Sequence, residues 1–288
     1  MTWQLLLTIY LILGTASYLI RRRLATTLEK HNKIINAFFY VAVLYPIGLA
    51  VAFFTNPDLD IGWQNFLIIL FASAVFPVIS ILGFRASKDV DAGLFTILHN
   101  LTPIITVITA SVLLNETLNG QQQLGAVLVL SSALLASASR YKNRKQSSVY
   151  GLVLVGVCIA LAGVAIVFER WMLGRIDFGA YLVFGWGSQA LWMAIVAWPE
   201  RNDLAIFRKN SNLKLILGYA LTNALKGLCF VGALKIGNNA SVIGVYASFM
   251  SVLVVISAYF ILKEKEHLWA KISAATIGAI GLAILSVS

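Results

Sequence analysis

The sequence predicts an all-α integral membrane protein: ten transmembrane helices arranged as two inverted five-helix repeats. Three observations carry this expectation. Apolar residues make up 59% of the 288, charged residues only 12%, and the mean hydropathy is +0.85. Soluble domains hold about 25% charged residues, so no single water-soluble core could hide this much apolar sequence. Apolar runs long enough to cross a hydrocarbon core of about 30 Å, which takes about 20 helical residues, fill the chain from Trp3 to Val287. Finally, the end of the first half of the chain is echoed at the end of the second.

The runs are taken in order. The first, 3–20, reads as a retained helix and not a signal peptide, because Met1-Thr2 supplies no positive n-region and Arg21, Arg22 and Arg23 follow the run. Tyr10, Gly14, Ser17 and Arg21 share one of its faces, which reads as close helix packing. Segments 34–54 and 63–86 follow. In the latter, Pro77 lacks an N–H and should free the carbonyl of Ser73, making a hinge with Ser80 nearby. Segment 92–114 carries Thr96, His99, Asn100 and Pro103 at i, i+3, i+4 and i+7, a polar face at membrane depth. Segments 122–139 and 150–170 complete the first half and open the second. Segment 178–198 places Trp186 and Gln189 on one face, while Trp192 and Trp198 read as packing or interfacial residues.

Segment 215–236 holds Lys226, about 10 residues or 15 Å from either end, too deep for its stem to reach water fully. Tyr219, Thr222, Asn223 and Lys226 repeat at i, i+3, i+4 and i+7, so one polar face runs along an apolar helix. Segment 240–262 carries Tyr246 at a comparable depth, and segment 271–287 is rich in Gly, Ala and Ser. The small residues of the fifth and tenth segments suit helix support or a homodimer surface.

The repeat lies in "GLFTILHNLTPIITVITASVLLNETLNGQQQLGAVLVLSSALLAS" and "SVIGVYASFMSVLVVISAYFILKEKEHLWAKISAATIGAIGLAIL". Each is an apolar helix, an aliphatic pair and a polar residue before a glutamate (Glu116 or Glu264), then a turn into a small-residue helix. Five helices per half is an odd number, so the second half must enter from the opposite face. This pattern resembles the EamA domains of the drug/metabolite transporter superfamily. The resemblance implies two EamA-like units, 1–145 and 146–288, in a ten-helix carrier that works by alternating access. It also implies cytoplasmic termini.

The charge distribution gives the opposite orientation. The loops after the odd-numbered segments hold 18 Lys and Arg, counting Arg21–Arg23, Lys30 and Lys33 after the first; the other side holds only Arg170, Arg175 and Lys235. Positive charge collects on the cytoplasmic side, so the count puts the odd loops inside and both termini outside, in a cell or inner membrane. The same clustering explains a pI near 9.7 without nucleic acid.

Intramembrane ionisable groups are functional by default. Lys226, Asn223, Tyr219 and Thr222 are therefore candidate substrate-binding residues, with His99, Asn100, Tyr246, Trp186 and Gln189 completing the site. Glu116 and Glu264 sit at helix C-terminal ends, where they oppose the helix dipole, and read as structural caps of the next helix. No acid is seen well inside an apolar run, Glu169 being placed at a run end. Cys158 and Cys229 read as packing residues. No Walker loop, metal-ligand cluster or Ser-His-Asp arrangement stands out, so no cofactor, metal or enzyme activity is expected. The expected function is secondary active or exchange transport of a small organic metabolite, neutral or anionic at one end, with the bilayer as the protein's other partner. Two alternatives are a lipid-linked flippase, with Lys226 on a phosphate head group, and a non-transport scaffold, with a closed, dry interior and Lys226 satisfied by protein.

Overall fold

The computed structural model describes residues 2–90, 98–138, 149–237, 239–261 and 268–287. Thr96, the basic cluster Arg140–Lys145, and Lys263, Glu264, Lys265 and His267 lie outside them. The described residues are mostly helical, joined by short loops and turns, and contain no strand. Six stretches are long and apolar enough to cross a membrane: Trp3–Ala25, Asn32–Thr55, Trp63–Ala86, Val149–Leu173, Phe178–Arg208 and Ser211–Gly237. Shorter apolar helices occupy Thr102–Leu114, Ala240–Val254 and Ile272–Leu285.

The chain begins with α1 (Trp3–Leu28), which runs well past the predicted end at residue 20 and takes Arg21, Arg22 and Arg23 into the helix. None of the three arginines is therefore a loop residue, and the positive count for that loop falls by three. The second span is α2 (Asn32–Ala37), a π-helical stretch (Phe38–Leu44) and α3 (Tyr45–Thr55) in one continuous rod. Pro46 cannot donate a helical hydrogen bond, and the π-helical turn absorbs the mismatch, with the Tyr45 N–H bonding five residues back to the Tyr40 carbonyl.

Next come α4 (Trp63–Ala72) and α5 (Val75–Asp89), broken at Ser73-Ala74. The predicted hinge before Pro77 is thus a real break, but the Ser73 carbonyl is not free: it accepts the Phe76 N–H at 3.3 Å. A turn at Asn100-Leu101 precedes α6 (Thr102–Leu114), where Pro103 sits in the first turn and needs no donor. Asn115 ends α6 in the left-handed conformation, φ 55°. Then follow α7 (Gly120–Ala138), α8 (Val149–Leu173), α9 (Phe178–Ala197), a 3-10 segment (Trp198–Arg208), α10 (Asn210–Gly237), α11 (Ala240–Ser248), α12 (Met250–Ile261) and α13 (Leu268–Val287).

The packing places α1 along α10, α7 along α13, α3 against α9, and α8 against both α5 and α6. Large buried side chains fill the middle, among them Trp186, Tyr181, Phe84 and Met193. Exposed Phe53, Phe54, Ile108 and Val112 coat the outside, as a bilayer solvent permits.

Polar ties secure both ends. On one, Lys33 pairs with Glu200 at 2.7 Å and His31 with Asp203 at 2.9 Å, fixing the start of the second span to the 3-10 segment. On the other, the Lys235 ammonium donates to the carbonyls of Leu173 (2.7 Å) and Ile176 (3.2 Å), meeting acceptors at the end of α8. Glu116 accepts from Arg170 Nε at 3.1 Å and from the Ala240 N–H at 2.7 Å. It does cap a helix, but not the next one. It caps α11, far along the chain, whereas α7 has its own reciprocal box between Asn119 and Gln122.

The α7–α13 seam is built on backbone proximity. A Cβ at Gly281 would stand 2.9 Å from the Gly125 carbonyl oxygen and 2.8 Å from Val129 Cγ2. Gly281→Val is therefore expected to destabilise the protein by about 1–3 kcal/mol, the usual cost of overpacking. Thermal unfolding of the detergent-solubilised protein reads this as a lowered midpoint, and an unchanged midpoint would show that the seam is loose.

Candidate functional site

Between α1, the π-helical turn, α5, α8, α9 and α10 lies a cavity of about 300 Å³. A side lobe of about 140 Å³ shares Tyr10, Arg21, His99, Asn223 and Lys226 with it and extends toward Met250 and Ser251 of α12. Pockets of the larger size suit small organic molecules.

The polar face predicted on α10 points into this space. Lys226 stands beside Gly14, where a Cβ would run into Met250 Sδ and approach the Lys226 Cδ to 3.2 Å, so the glycine makes room on α1 for the methionine and, less tightly, for the lysine stem. Its ammonium lies 5.9 Å from the centroid of the Tyr10 ring, within reach of a cation–π attraction. Among the described residues it makes no hydrogen bond and no ion pair. One turn away, Asn223 Oδ1 accepts from the Ser17 hydroxyl at 3.3 Å. Tyr219 is buried in the wall with its ring against Phe39. Trp186 and Gln189, both buried, reach the same cavity from α9, and Gln189 Nε2 has no hydrogen-bond partner among the described residues. The His99 side chain also lines it and is accessible from within.

Three of the predicted site residues are elsewhere. Thr222 turns its hydroxyl back onto the carbonyls of Gly218 (2.8 Å) and Tyr219 (3.1 Å) in its own helix, as a threonine inside a helix commonly does. Asn100 donates to the Ala133 carbonyl at 3.1 Å and accepts from Ser251, so it bolts α7 and α12 together. Tyr246 is buried edge-on against Trp3, at 5.8 Å between centroids. None of the three lines the cavity. Trp192 donates to the Leu70 carbonyl at 2.6 Å, a packing role, and Trp198 is exposed.

Two further residues line the cavity that the sequence reading places elsewhere. Arg21, which reads as part of a topology-setting cluster and a packing face, lines both lobes. Its spacing from Tyr10, Gly14 and Ser17 was the available signal. Glu169, read as a run-end residue, is 6% exposed and lines the larger lobe. Its carboxylate accepts from the Tyr181 hydroxyl at 2.8 Å. The correction has a simple cause: α8 continues to Leu173, so Glu169 falls inside the span.

The Tyr181 hydroxyl is the only hydrogen-bond donor to the Glu169 carboxylate among the described residues. Tyr181→Phe is expected to cost about 1–3 kcal/mol by leaving that buried acceptor unmet. Adding Glu169→Leu should recover much of the loss, and a double-mutant cycle on unfolding midpoints measures it.

No group of His, Cys, Asp and Glu among the described residues could hold a metal ion. No curated protein sequence matches the chain. A crystal structure of a protein 16% identical in sequence superposes with a TM-score of 0.72, covering 99% of this chain and 96% of its own, a likeness that shows the fold alone. Residues 2–138 match the model of the EamA-like transporter family. With its several membrane-capable apolar helices the chain is a multi-pass integral membrane protein, and its first half, residues 2–138, is similar to the EamA-like transporter family of the drug/metabolite transporter superfamily.

Proposed function

We propose that the chain is a secondary carrier, active or exchanging, for a small organic solute that is neutral or anionic at one end. The observation that carries this is Lys226: an ammonium deep in the sequence of a membrane span, facing a cavity and joined to no acceptor among the described residues. A charge so placed is too costly to keep unless water or a ligand meets it. A scaffold whose polar faces only lock helices together would satisfy Lys226 with protein, and it would have no reason to surround it with a cavity. The flippase reading finds no observation of its own here.

In this reading Lys226, Asn223 and Tyr219 hold the polar end of the solute, and His99, Trp186 and Gln189 complete the site. The chain crosses the membrane ten times as two inverted units, 1–145 and 146–288. The family match ends at residue 138, close to the proposed boundary. Alternating access comes from one unit rocking against the other about the central cavity. The Lys and Arg bias still favours cytoplasmic odd loops after Arg21, Arg22 and Arg23 are removed from the count, 15 against 3. A homodimer through the small-residue helices is an open assembly.

The test is uptake and efflux in proteoliposomes with amino acids, organic acids and sugar phosphates. Lys226→Ala should lower kcat/KM for the transported solute about 10- to 100-fold, the worth of one charge-assisted hydrogen bond. Lys226→Arg should also impair it, since a planar fork replaces a compact charge. Wild-type rates in a folded Lys226→Ala protein would remove the lysine from the site.

A further inference from the structure

The cavity contains a second cation whose state the carrier reading leaves unexplained. Arg21 Nε and Nη2 are both buried and both lack a hydrogen-bond partner among the described residues. These two nitrogens form one edge of the planar guanidinium, the edge that meets two oxygens of a carboxylate or phosphoryl group in parallel. A guanidinium taken out of water without an anion is costly, so a fork with no protein acceptor is a place that favours an anion.

The surroundings favour one. The guanidinium carbon stands 5.5 Å from the Phe84 ring centroid, which steadies the plane. Gly83 lies against the Nη2 side, and its missing side chain is what lets the guanidinium sit there: a Cβ would come within 2.7 Å of Nη2. Lys226 shares both lobes with Arg21 and forms no ion pair or hydrogen bond among the described residues. The carboxylate in the wall, Glu169, is engaged by Tyr181, and no ion pair joins it to Arg21 or Lys226 among the described residues. Two like charges therefore face a common space, and the Glu169 carboxylate in its wall forms an ion pair with neither among the described residues.

We infer that Arg21 and Lys226 form an oxyanion site. The Arg21 edge grips a terminal carboxylate or phosphoryl group, Lys226 supplies the second positive charge, and the apolar body of the ligand lies toward Phe39, Phe76 and Trp186. This deepens the carrier reading by narrowing the solute to an acid, and it rests on that reading only for the claim that the bound acid is moved.

Binding is measured by thermal unfolding of the detergent-solubilised full chain. The probes are benzoate and phenylacetate, their neutral amides benzamide and phenylacetamide, and inorganic phosphate. At least one oxyanion should raise the wild-type midpoint in a saturable way, while the amides should not. Carboxylates acting alone, or phosphate acting alone, would each support the site and say which group it prefers. Arg21→Lys keeps the charge and removes the fork, and Gly83→Ala keeps the charge and pushes the guanidinium aside. Each should weaken the oxyanion's apparent affinity about tenfold or more, the value of one bidentate contact. Amides that stabilise as well as acids, oxyanions that leave the wild-type midpoint unmoved, or variants that titrate like wild type would each overturn the inference. The acid-against-amide comparison needs no variant, so a misfolded substitution does not remove the test. Acid binding lost in Arg21→Lys without any flux in proteoliposomes would sink the carrier reading and leave the site standing. Flux of a neutral solute indifferent to Arg21→Lys would do the reverse.

Discussion

A positive charge within a membrane protein must be met by water, by an anion or by a ligand. That constraint organises the centre of this molecule. Lys226 and Arg21 enter from α10 and α1, two helices packed along each other, with Gly14 making room beside the lysine stem and Met250. The cavity exists where these side chains need it. Around it the interior is otherwise conventional, with aromatic and aliphatic groups filling the space between spans and each polar side chain close to the lumen either bonded locally or turned inward.

The two ends of the molecule solve a different problem. Helix termini carry unmet carbonyls and N–H groups, and near a bilayer these need partners. Lys235 serves the end of α8, and Glu116 serves the start of α11 while pairing with Arg170. At the opposite end, Lys33 and His31 meet Glu200 and Asp203. The cations of the interior and those of the ends are thus in contrasting states: the latter are engaged by protein, the former face open space.

Much of the fold could be read from the sequence because a bilayer demands long apolar helices, and such runs are hard to mistake. The depth of Lys226 and the periodic face around it could be read for the same reason. Helix ends could not. Arg21 lies just beyond the point where hydropathy fades and Glu169 at the very end of its apolar run, so hydropathy gives neither depth, although the helices carry both into the cavity wall. Thr222, Asn100 and Tyr246 show the converse difficulty. Spacing put them on polar faces, but a short hydroxyl bonds its own helix, an amide can bolt neighbouring helices, and a tyrosine can pack as an aromatic. Periodicity tells which side a residue faces, not which neighbour stands there.

The Glu116 bond also says something about how the chain is made. Its backbone partner, Ala240, follows it by 124 residues. As the chain emerges, α6 is finished long before α11 exists, and contacts so distant in sequence form late. Arg170 can reach Glu116 earlier, holding the carboxylate until its final partner arrives. The first 138 residues synthesised alone would contain neither Arg170 nor Ala240, so Glu116 would have neither. The stretch recognised as one transporter unit is therefore incomplete at one corner until the second half has been threaded into the membrane beside it.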